Sequence, residues 1–592
     1  MSFKHSAMAA TKSTWDWARS DRGLLIWAVV VGAAAGLLSV VMKQSVGGLR
    51  SVIFSVQDWL GGSWILALGP AVGLIATSWV VKMILSGDHP GPGIPSTLHA
   101  ISTNRGRMKR KWMVAPVLTS VLSVGFGGSG GLEAPAVQAG AAMGSEVASR
   151  TRRHFRRRLL LIACAAAASL AAMFKAPIAA IVFAVEVIMI DLTASSLVPI
   201  LLASLASLLT AFFFIEGEDI LSVPRFEAFE AQKLPWFIVL GLSTGVCSVL
   251  FSRLYLWSQH GMSRFKHPST KIWIAGILMG TCVATLPALY GEGYEIINGL
   301  FEGRSTGLFT DSLLWNDQSS FTALLAMFLI ASVLKPILTG LTVGAGGVAG
   351  VFAPALFSGA LLGFAFALVL TQSVGVNFPV GHAVLAGLCG MMAGVLHAPL
   401  TAIFLATELS GGYGLFVPLM LTSAVSFSTS RALMLHSIYN RELAERGELL
   451  THDKDRSVLV LMNLKEELER DFLPVKAQWT LEQLVEVVAL SQRNLHPVVD
   501  DDGLMLGIVD LQDIRQVMFD RSQYQTLTVS DLMTTPLAQV EWGDKMDDVM
   551  AKFEACGAWN LPVVEEGKYV GFVSRSRLFT AYRKWLRATN LD

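Results

Sequence analysis

Apolar segments long enough, or nearly long enough, to span a membrane recur along the first three-quarters of the chain and stop near Asn440. They lie at about 23–46, 63–85, 112–126, 159–190, 196–215, 234–257, 271–290, 321–340, 351–371, 381–409 and 415–434. A helix of about 20 apolar residues crosses the hydrocarbon core of a bilayer. Beyond Asn440, helix-like and strand-like stretches alternate at ordinary soluble composition. The pattern predicts a polytopic α-helical membrane domain followed by a soluble α/β domain.

Three regions follow from this pattern: a polar segment at 1–22, a membrane domain at 23–440 and a soluble tail at 441–592. Basic residues cluster in two loops of the membrane domain. They are Arg105, Arg107, Lys109, Arg110 and Lys111, then Arg150, Arg152, Arg153, Arg156, Arg157 and Arg158. Basic loops of membrane proteins face the cytosol. We therefore expect a multi-pass protein of the cell membrane whose N-terminal segment and tail are both cytosolic.

Two ordered matches indicate that the membrane domain is a duplication. Gly131-Leu132-Glu133-Ala134-Pro135 is similar to Gly350-Val351-Phe352-Ala353-Pro354. About forty residues later, Ala176-Pro177 with Glu186 is similar to Ala398-Pro399 with Glu408. The shared order and spacing predict two halves, at about 23–220 and 230–440. The matches alone leave open whether the halves are parallel or inverted.

Glycine and proline interrupt the apolar segments at 91–95, 130–135 and 346–354, in each case just before an apolar helix. Irregular backbone at membrane depth is tolerated only where protein buries it or where it lines a cavity. The first N–H groups of a helix lack partners within that helix, and the helix dipole makes this end positive. Three such ends converging on one point would bind a dehydrated anion without a lysine or arginine. The alternative is close helix packing through small residues.

Glu133 is a carboxylate at the start of a short, deep helix, with no basic residue close to it in sequence. An ionisable group inside a membrane indicates a functional site. A charged Glu133 would occupy the anion site itself, and a protonated Glu133 would leave it. We therefore predict a pH-sensitive gate, with a plain N-terminal helix cap as the alternative.

These motifs, in this order, resemble the anion-binding motifs of the CLC chloride channels and proton/anion antiporters. Tyr439 falls where that family has its inner tyrosine. The resemblance implies an inverted repeat of broken and tilted helices and a homodimer with one pore in each subunit. It also implies that Glu133 is the gate and that Glu186 and Glu408 are structural. The anion-binding residues would be Gly91, Pro92, Gly93, Ile94, Pro95, Gly131, Leu132, Ala134, Gly350, Val351, Phe352, Ala353 and Tyr439.

Some positions depart from the family pattern. Pro92 stands where the family usually has a serine, and proline has no donor for the central anion. In the family, proline at this position is associated with nitrate preference, so chloride and nitrate both stay open. Leu132 and Ala134 replace a basic residue and a glycine beside the gate.

Val187 bears on mechanism. Antiporters of the family commonly have a second, inner glutamate at this position, and valine cannot relay a proton. The sequence therefore favours a passive chloride channel, with a proton-coupled chloride or nitrate antiporter as the alternative.

The soluble tail contains a second repeat. Leu495-His496-Pro497-Val498-Val499 is similar to Asn560-Leu561-Pro562-Val563-Val564. The two copies, at about 466–522 and 526–588, resemble a tandem pair of CBS modules, which often follows a CLC membrane domain. Such pairs commonly bind adenine nucleotides, here through Asp510, Asp513 and Ser574. Neither copy has an intact ligand motif, so a purely structural module is the other alternative.

Composition excludes other classes. Hydrophobic residues make up 53% of the chain and charged residues 15%, mean hydropathy is +0.53 and the net charge is +1, which gives no basic field for nucleic acid. The five cysteines are scattered, and no metal-ligand motif is present, so we expect neither a metal site nor an enzyme. A divalent-cation transporter with regulatory CBS modules is a remote alternative, because it needs acidic pore residues. No cofactor is required, and chloride would be the substrate.

Overall fold

The computed structural model describes residues 21–60, 64–151, 154–188, 193–214, 221, 223–224, 229–304, 321–449 and 454–589. The chain divides into two compact units, residues 1–448 and 449–592. All but the last two residues of the predicted N-terminal segment 1–22 lie outside the described residues, as do Arg152 and Arg153 of the second basic cluster.

The first unit is helical. Its first half contains α1 (Asp21–Leu60), α2 (Trp64–Met83), α3 (Ile94–Thr103), α4 (Ala115–Gly125), α5 (Glu133–Arg150), α6 (Phe155–Phe174), α7 (Pro177–Glu186) and α8 (Ala194–Phe214). Its second half contains α9 (Leu234–Ser263), α10 (Pro268–Thr285), α11 (Tyr294–Phe301), α12 (Phe321–Gly344), α13 (Phe352–Val369), α14 (Val380–Leu396), α15 (Pro399–Leu409) and α16 (Phe416–Leu433). A short helix, α17 (Ile438–Glu445), follows. Within the described residues, seven helices are long and apolar enough to cross a membrane, namely α1, α2, α6, α8, α9, α12 and α13.

Two of the predicted apolar segments, 159–190 and 381–409, are each broken into a pair of helices. The first helix of each pair ends at a residue in the left-handed conformation, Lys175 in one case and His397 in the other, both with φ of 55°. An Ala-Pro dipeptide follows each of them. Proline disfavours a helical conformation in the residue before it, so a new helix begins at the proline instead. The unbroken apolar composition of these segments concealed the breaks.

The two halves are related by an approximate twofold axis, as reciprocal contacts demonstrate. Gly131 N donates to Gly350 O at 2.8 Å, and Gly350 N donates to Gly131 O at 2.7 Å. Elsewhere, Glu186 at the end of α7 accepts hydrogen bonds from the start of α15, and Glu408 at the end of α15 accepts them from the start of α7. The repeat is therefore inverted, and the predicted fold class is confirmed.

The second unit contains two copies of one small α/β motif. In the first, β1 (Val475–Lys476) lies parallel to β2 (Leu495–Val499), which is antiparallel to β3 (Met505–Asp510). In the second, β4 (Val540–Glu541), β5 (Asn560–Glu565) and β6 (Lys568–Ser574) repeat the same order and directions. The irregularity at 498/499 recurs at 563/564, so even the register is duplicated.

Short helices complete this unit. They are α18 (Lys454–Leu461), α19 (Leu464–Glu467), α20 (Leu481–Leu490), α21 (Leu511–Ile514), α22 (Val529–Leu532), α23 (Met546–Cys556) and α24 (Arg575–Thr589). Each copy has its own apolar core, centred on Val498 in the first and Val563 in the second.

Candidate functional site

The three glycine-rich loops meet at the N-terminus of α5. The loop before α3 packs closely against it, since a Cβ atom on Gly93 would lie 2.7 Å from the carbonyl oxygen of Ala134. The loop before α13 approaches as closely, since a Cβ atom on Gly350 would lie 2.8 Å from the Ala134 Cβ. Only glycine permits these approaches. The three helix ends predicted to converge are thus brought together.

Side chains outside the motifs connect the same loops. Gln138 on α5 donates from Nε2 to the Pro90 carbonyl at 2.5 Å. His89 Nε2 lies 2.9 Å from the carbonyl oxygen of Gly346. The first loop is therefore attached both to α5 and to the third loop, which fixes the relative positions of the helix ends.

The N-cap residues of α3, α5 and α13 are Gly93, Leu132 and Val351, and none of them supplies a side-chain cap. Their neighbours Ile94, Ala134, Phe352 and Ala353 are at most 1% exposed. Uncapped N–H groups in a dry environment are the chemistry that an anion site requires.

Glu133 lies within this arrangement and has no exposed surface. The hydroxyl of Tyr294 donates to its Oε1 atom. Its Oε2 atom packs against Gly131 and has no hydrogen-bond partner among the described residues. The backbone amides of Glu133 and Ala353 also face the carboxylate. A carboxylate so placed occupies the space in which an anion would meet these amides.

Tyr439 lies near the start of α17. It is 3% exposed, and its hydroxyl has no hydrogen-bond partner among the described residues. A cavity of about 330 Å³ reaches it; the lining includes Pro92, Pro95, Val351, Tyr439, His260, Glu442 and Glu445. A buried donor at the end of a cavity, beside two of the three loops, is positioned to bind an anion entering from that side.

The sequence did not single out three residues near Glu133: Glu292, Tyr294 and Lys335. The Leu132 amide donates to Glu292 Oε1 at 3.3 Å. Lys335 is fully buried, and its Nζ donates to the carbonyls of Leu289 and Gly291 at 3.1 Å and 2.7 Å. A signal existed for Lys335, because a lysine within an apolar segment is itself a functional indication. Tyr294 directly follows a Gly-x-Gly sequence like that of the first loop, which was a signal for this loop as well.

Val187 lies at the C-terminal end of α7 and is 5% exposed. The adjacent Glu186 is engaged by the Leu400 and Thr401 amides at 2.9 Å and 2.7 Å. The carboxylate nearest to Val187 in sequence therefore serves as a helix cap.

The three predicted nucleotide ligands are in different situations. Asp510 caps α21 by accepting from the Gln512 amide at 2.9 Å, and Asp513 is exposed. The hydroxyl of Ser574 donates to the buried carboxylate of Glu469. Glu469 is itself paired with Arg493 Nη2 at 2.5 Å.

An inverted repeat of broken helices, with uncapped helix ends around a buried carboxylate, defines a membrane protein that transports anions. Residues 72–431, more than half of the chain, match the family model described as voltage gated chloride channel. The chain belongs to this family, the CLC family, and residues 465–520 and 529–584 match the CBS domain model.

Known proteins agree with this assignment. A putative chloride channel protein ClcB-like from Ralstonia nicotianae is 27% identical over 438 residues, which cover 70% of this chain and 97% of that protein. An H(+)/Cl(-) exchange transporter ClcA from Vibrio cholerae is 28% identical over 439 residues, covering 71% and 89%. The crystal structure of a slow cyanobacterial Cl-/H+ antiporter superimposes with a TM-score of 0.61 at 24% identity, covering 72% of this chain and 97% of that one. At that identity the superposition shows the shared fold alone.

Proposed function

We propose that the protein exchanges chloride or a similar small anion for protons, with Glu133 as the group that couples the two. The observation that carries this proposal is the fully buried Glu133 carboxylate among uncapped helix ends. When charged, it competes with the anion for the same amides. When protonated, it is neutral and leaves them. The carboxylate and the anion therefore occupy these amides in turn, and proton uptake by Glu133 determines which of the two is bound.

Val187 is the argument for the runner-up, a passive channel. Valine at this position cannot accept a proton. His260, Glu442 and Glu445 line the cavity that reaches Tyr439 and supply other acceptors there. A polar cavity of this size has room for water, which carries protons between such groups. The name of the Vibrio cholerae relative also favours exchange.

The basic loops support one orientation of this pathway. Arg110 and Arg150 lie at the far end of α5 from Glu133, where both pair with Glu146 at 2.9 Å and 2.6 Å. The positive-inside rule favours a cytosolic position for that end. We propose that Glu133 lies towards the outside of the cell membrane and that Tyr439, on the last helix before the tail, lies towards the cytosol. The protein would act as a homodimer with one pathway in each subunit.

Flux measurements on purified protein in liposomes test the exchange. A chloride or nitrate gradient should drive protons against their own gradient, because the Glu133 side chain leaves the amides to an anion when it takes up a proton and returns to them when it releases that proton. Collapsing the anion gradient with an anion ionophore is the control and should stop the proton movement. Anion flux with no proton movement would overturn exchange in favour of a channel. Magnesium flux without anion flux would overturn anion transport itself.

A further inference from the structure

The second half of the repeat supplies a loop of its own at the gate. The loop before α11 is Gly291-Glu292-Gly293-Tyr294. It corresponds to the loop before α3, which is Gly91-Pro92-Gly93-Ile94. Backbone geometry repeats as well: φ is +79° and +86° at the first pair of glycines and +56° and +90° at the second. Both loops contact the N-terminus of α5. The second loop carries a carboxylate, Glu292, where the first carries Pro92.

Two contacts connect this loop to Glu133. Tyr294 donates its hydroxyl hydrogen to Glu133 Oε1. Glu292 Oε1 accepts the amide hydrogen of Leu132, the residue immediately before Glu133, at 3.3 Å. A second carboxylate is therefore held beside the gating carboxylate by the backbone of the gate itself.

A buried lysine fixes the loop. Lys335 on α12 donates to the Leu289 and Gly291 carbonyls, and its Nζ lies 4.8 Å from the centre of the Phe357 ring. The titratable and charged groups whose fields act on Glu292 come from four helices. They are Glu133 on α5, Tyr294 on α11, Lys335 on α12, and Arg50 and Lys43 on α1.

The two carboxylates differ in solvent exposure. Glu133 has no exposed surface, whereas Glu292 is only partly buried. Two neighbouring carboxylates in a site of low polarity avoid being charged together and tend to retain one proton between them. A proton from solution meets the more exposed group first.

We propose that Glu292 is a second proton-binding site of the pathway, through which protons pass between the solution and Glu133. This inference rests on the proposed exchange. In the step, the O–H bond on Glu292 breaks and an O–H bond forms on Glu133, directly or through the Tyr294 hydroxyl. Glu292 becomes a carboxylate and takes its next proton from water. The reverse step returns the proton to solution.

Glu292→Gln tests this proposal, because glutamine keeps a carbonyl oxygen for the Leu132 amide but cannot carry the proton. Glu302→Gln is the matched control. Glu302 follows the last residue of the same helix, α11, its side chain is 47% exposed, and it pairs with Arg304. We expect Glu292→Gln to slow anion-driven proton movement about a hundredfold or more, within the range that a positioned acid or base contributes. The control should change it less than about twofold. Retained anion flux in both variants demonstrates folding.

The pH profile of anion flux separates this inference from the exchange itself. Loss of Glu292 should shift the profile, and loss of Glu302 should leave it in place. An unshifted profile together with unchanged proton movement in Glu292→Gln would overturn the inference and leave exchange intact. A wild type that moves no protons would overturn exchange. In that case a shifted profile would still support Glu292 as the group that titrates the gate, and an unshifted one would refute it.

Discussion

Glu133 combines two properties that are rarely found in one side chain: it is ionisable, and it has no contact with solvent. Taking a carboxylate out of water costs several kcal/mol, which only strong local interactions offset. Here they come from the Tyr294 hydroxyl and from the positive end of α5. An anion that displaces the side chain gains the same favourable interaction with the positive end of this helix. The site is therefore in balance between its own carboxylate and the transported ion.

Glu133→Gln should separate the two transported species. We expect proton movement to be lost, because the glutamine side chain cannot take up a proton near neutral pH. Anion flux at neutral pH should rise, by up to about tenfold, since the variant loses about 1–2 kcal/mol of attraction between a charge and a helix end. Its pH dependence should flatten.

Flux assays at several pH values check this expectation. Glu146→Gln is the control on the same helix, where Glu146 pairs with Arg150 at the opposite end. Unchanged pH dependence in Glu133→Gln would remove Glu133 from the gate.

At the scale of elements, the paired helices α7 and α15 hold the two halves together. Glu186 accepts from the Leu400 and Thr401 amides, and Glu408 accepts from the Ile178 and Ala179 amides at 3.0 Å and 2.8 Å. Each carboxylate compensates the uncapped N–H groups of the helix from the other half. This geometry agrees with the structural role that the family resemblance implied for both glutamates.

Glu186→Ala should therefore destabilise the membrane domain. A hydrogen bond to a charged group contributes about 1.5–3 kcal/mol, and this variant leaves two amides without an acceptor. Glu230→Ala is the control, because Glu230 is 65% exposed and pairs only at the surface with Lys233. The unfolding temperatures of the two detergent-solubilised variants, measured by thermal denaturation, check the difference in stability. Equal stability of the two variants would contradict the capping role.

At the scale of the whole molecule, the soluble unit contains a hydrogen-bonded cluster of charged side chains. Glu469 holds both Ser574 and Arg493, and its amide donates to the Phe572 carbonyl at 2.8 Å. Arg493 also pairs with Asp471 at 2.7 Å. Desolvation raises the pKa of the Asp471 carboxyl, but hydrogen bonds from Arg493 outweigh it and hold that pKa below its ordinary value. A nucleotide that used Ser574 would have to displace Glu469 first.

Binding of adenine nucleotides to the CBS pair stays a prediction. If ATP or AMP binds, the unfolding temperature of the tail in the full-length protein should rise, with stabilisation of about 2.7 kcal/mol at a ligand concentration a hundred times Kd. Asp513→Ala should abolish the rise, and Asp547→Ala, which removes another exposed carboxylate, should not. No rise with either nucleotide in the wild type would favour the purely structural module.

The sequence by itself determined the division into a membrane domain and a tail, both repeats, and the three loops that bear glycine or proline. These features are local: apolar runs, glycine at close approaches, and proline at helix starts act within a few residues of the chain. Glu133 was also recognisable locally, because a carboxylate at the start of a deep helix is unusual wherever it occurs.

Tertiary structure alone decided how the halves are oriented and what surrounds the gate. The hydrogen bonds of Tyr294 and Glu292 at the gate join residues 161 and 160 positions apart. No periodicity or spacing encodes such contacts, since they arise only when the helices of one half pack against those of the other. Burial has the same origin: the charge of Glu133 is visible in the sequence, but its complete removal from solvent is a property of the packed molecule.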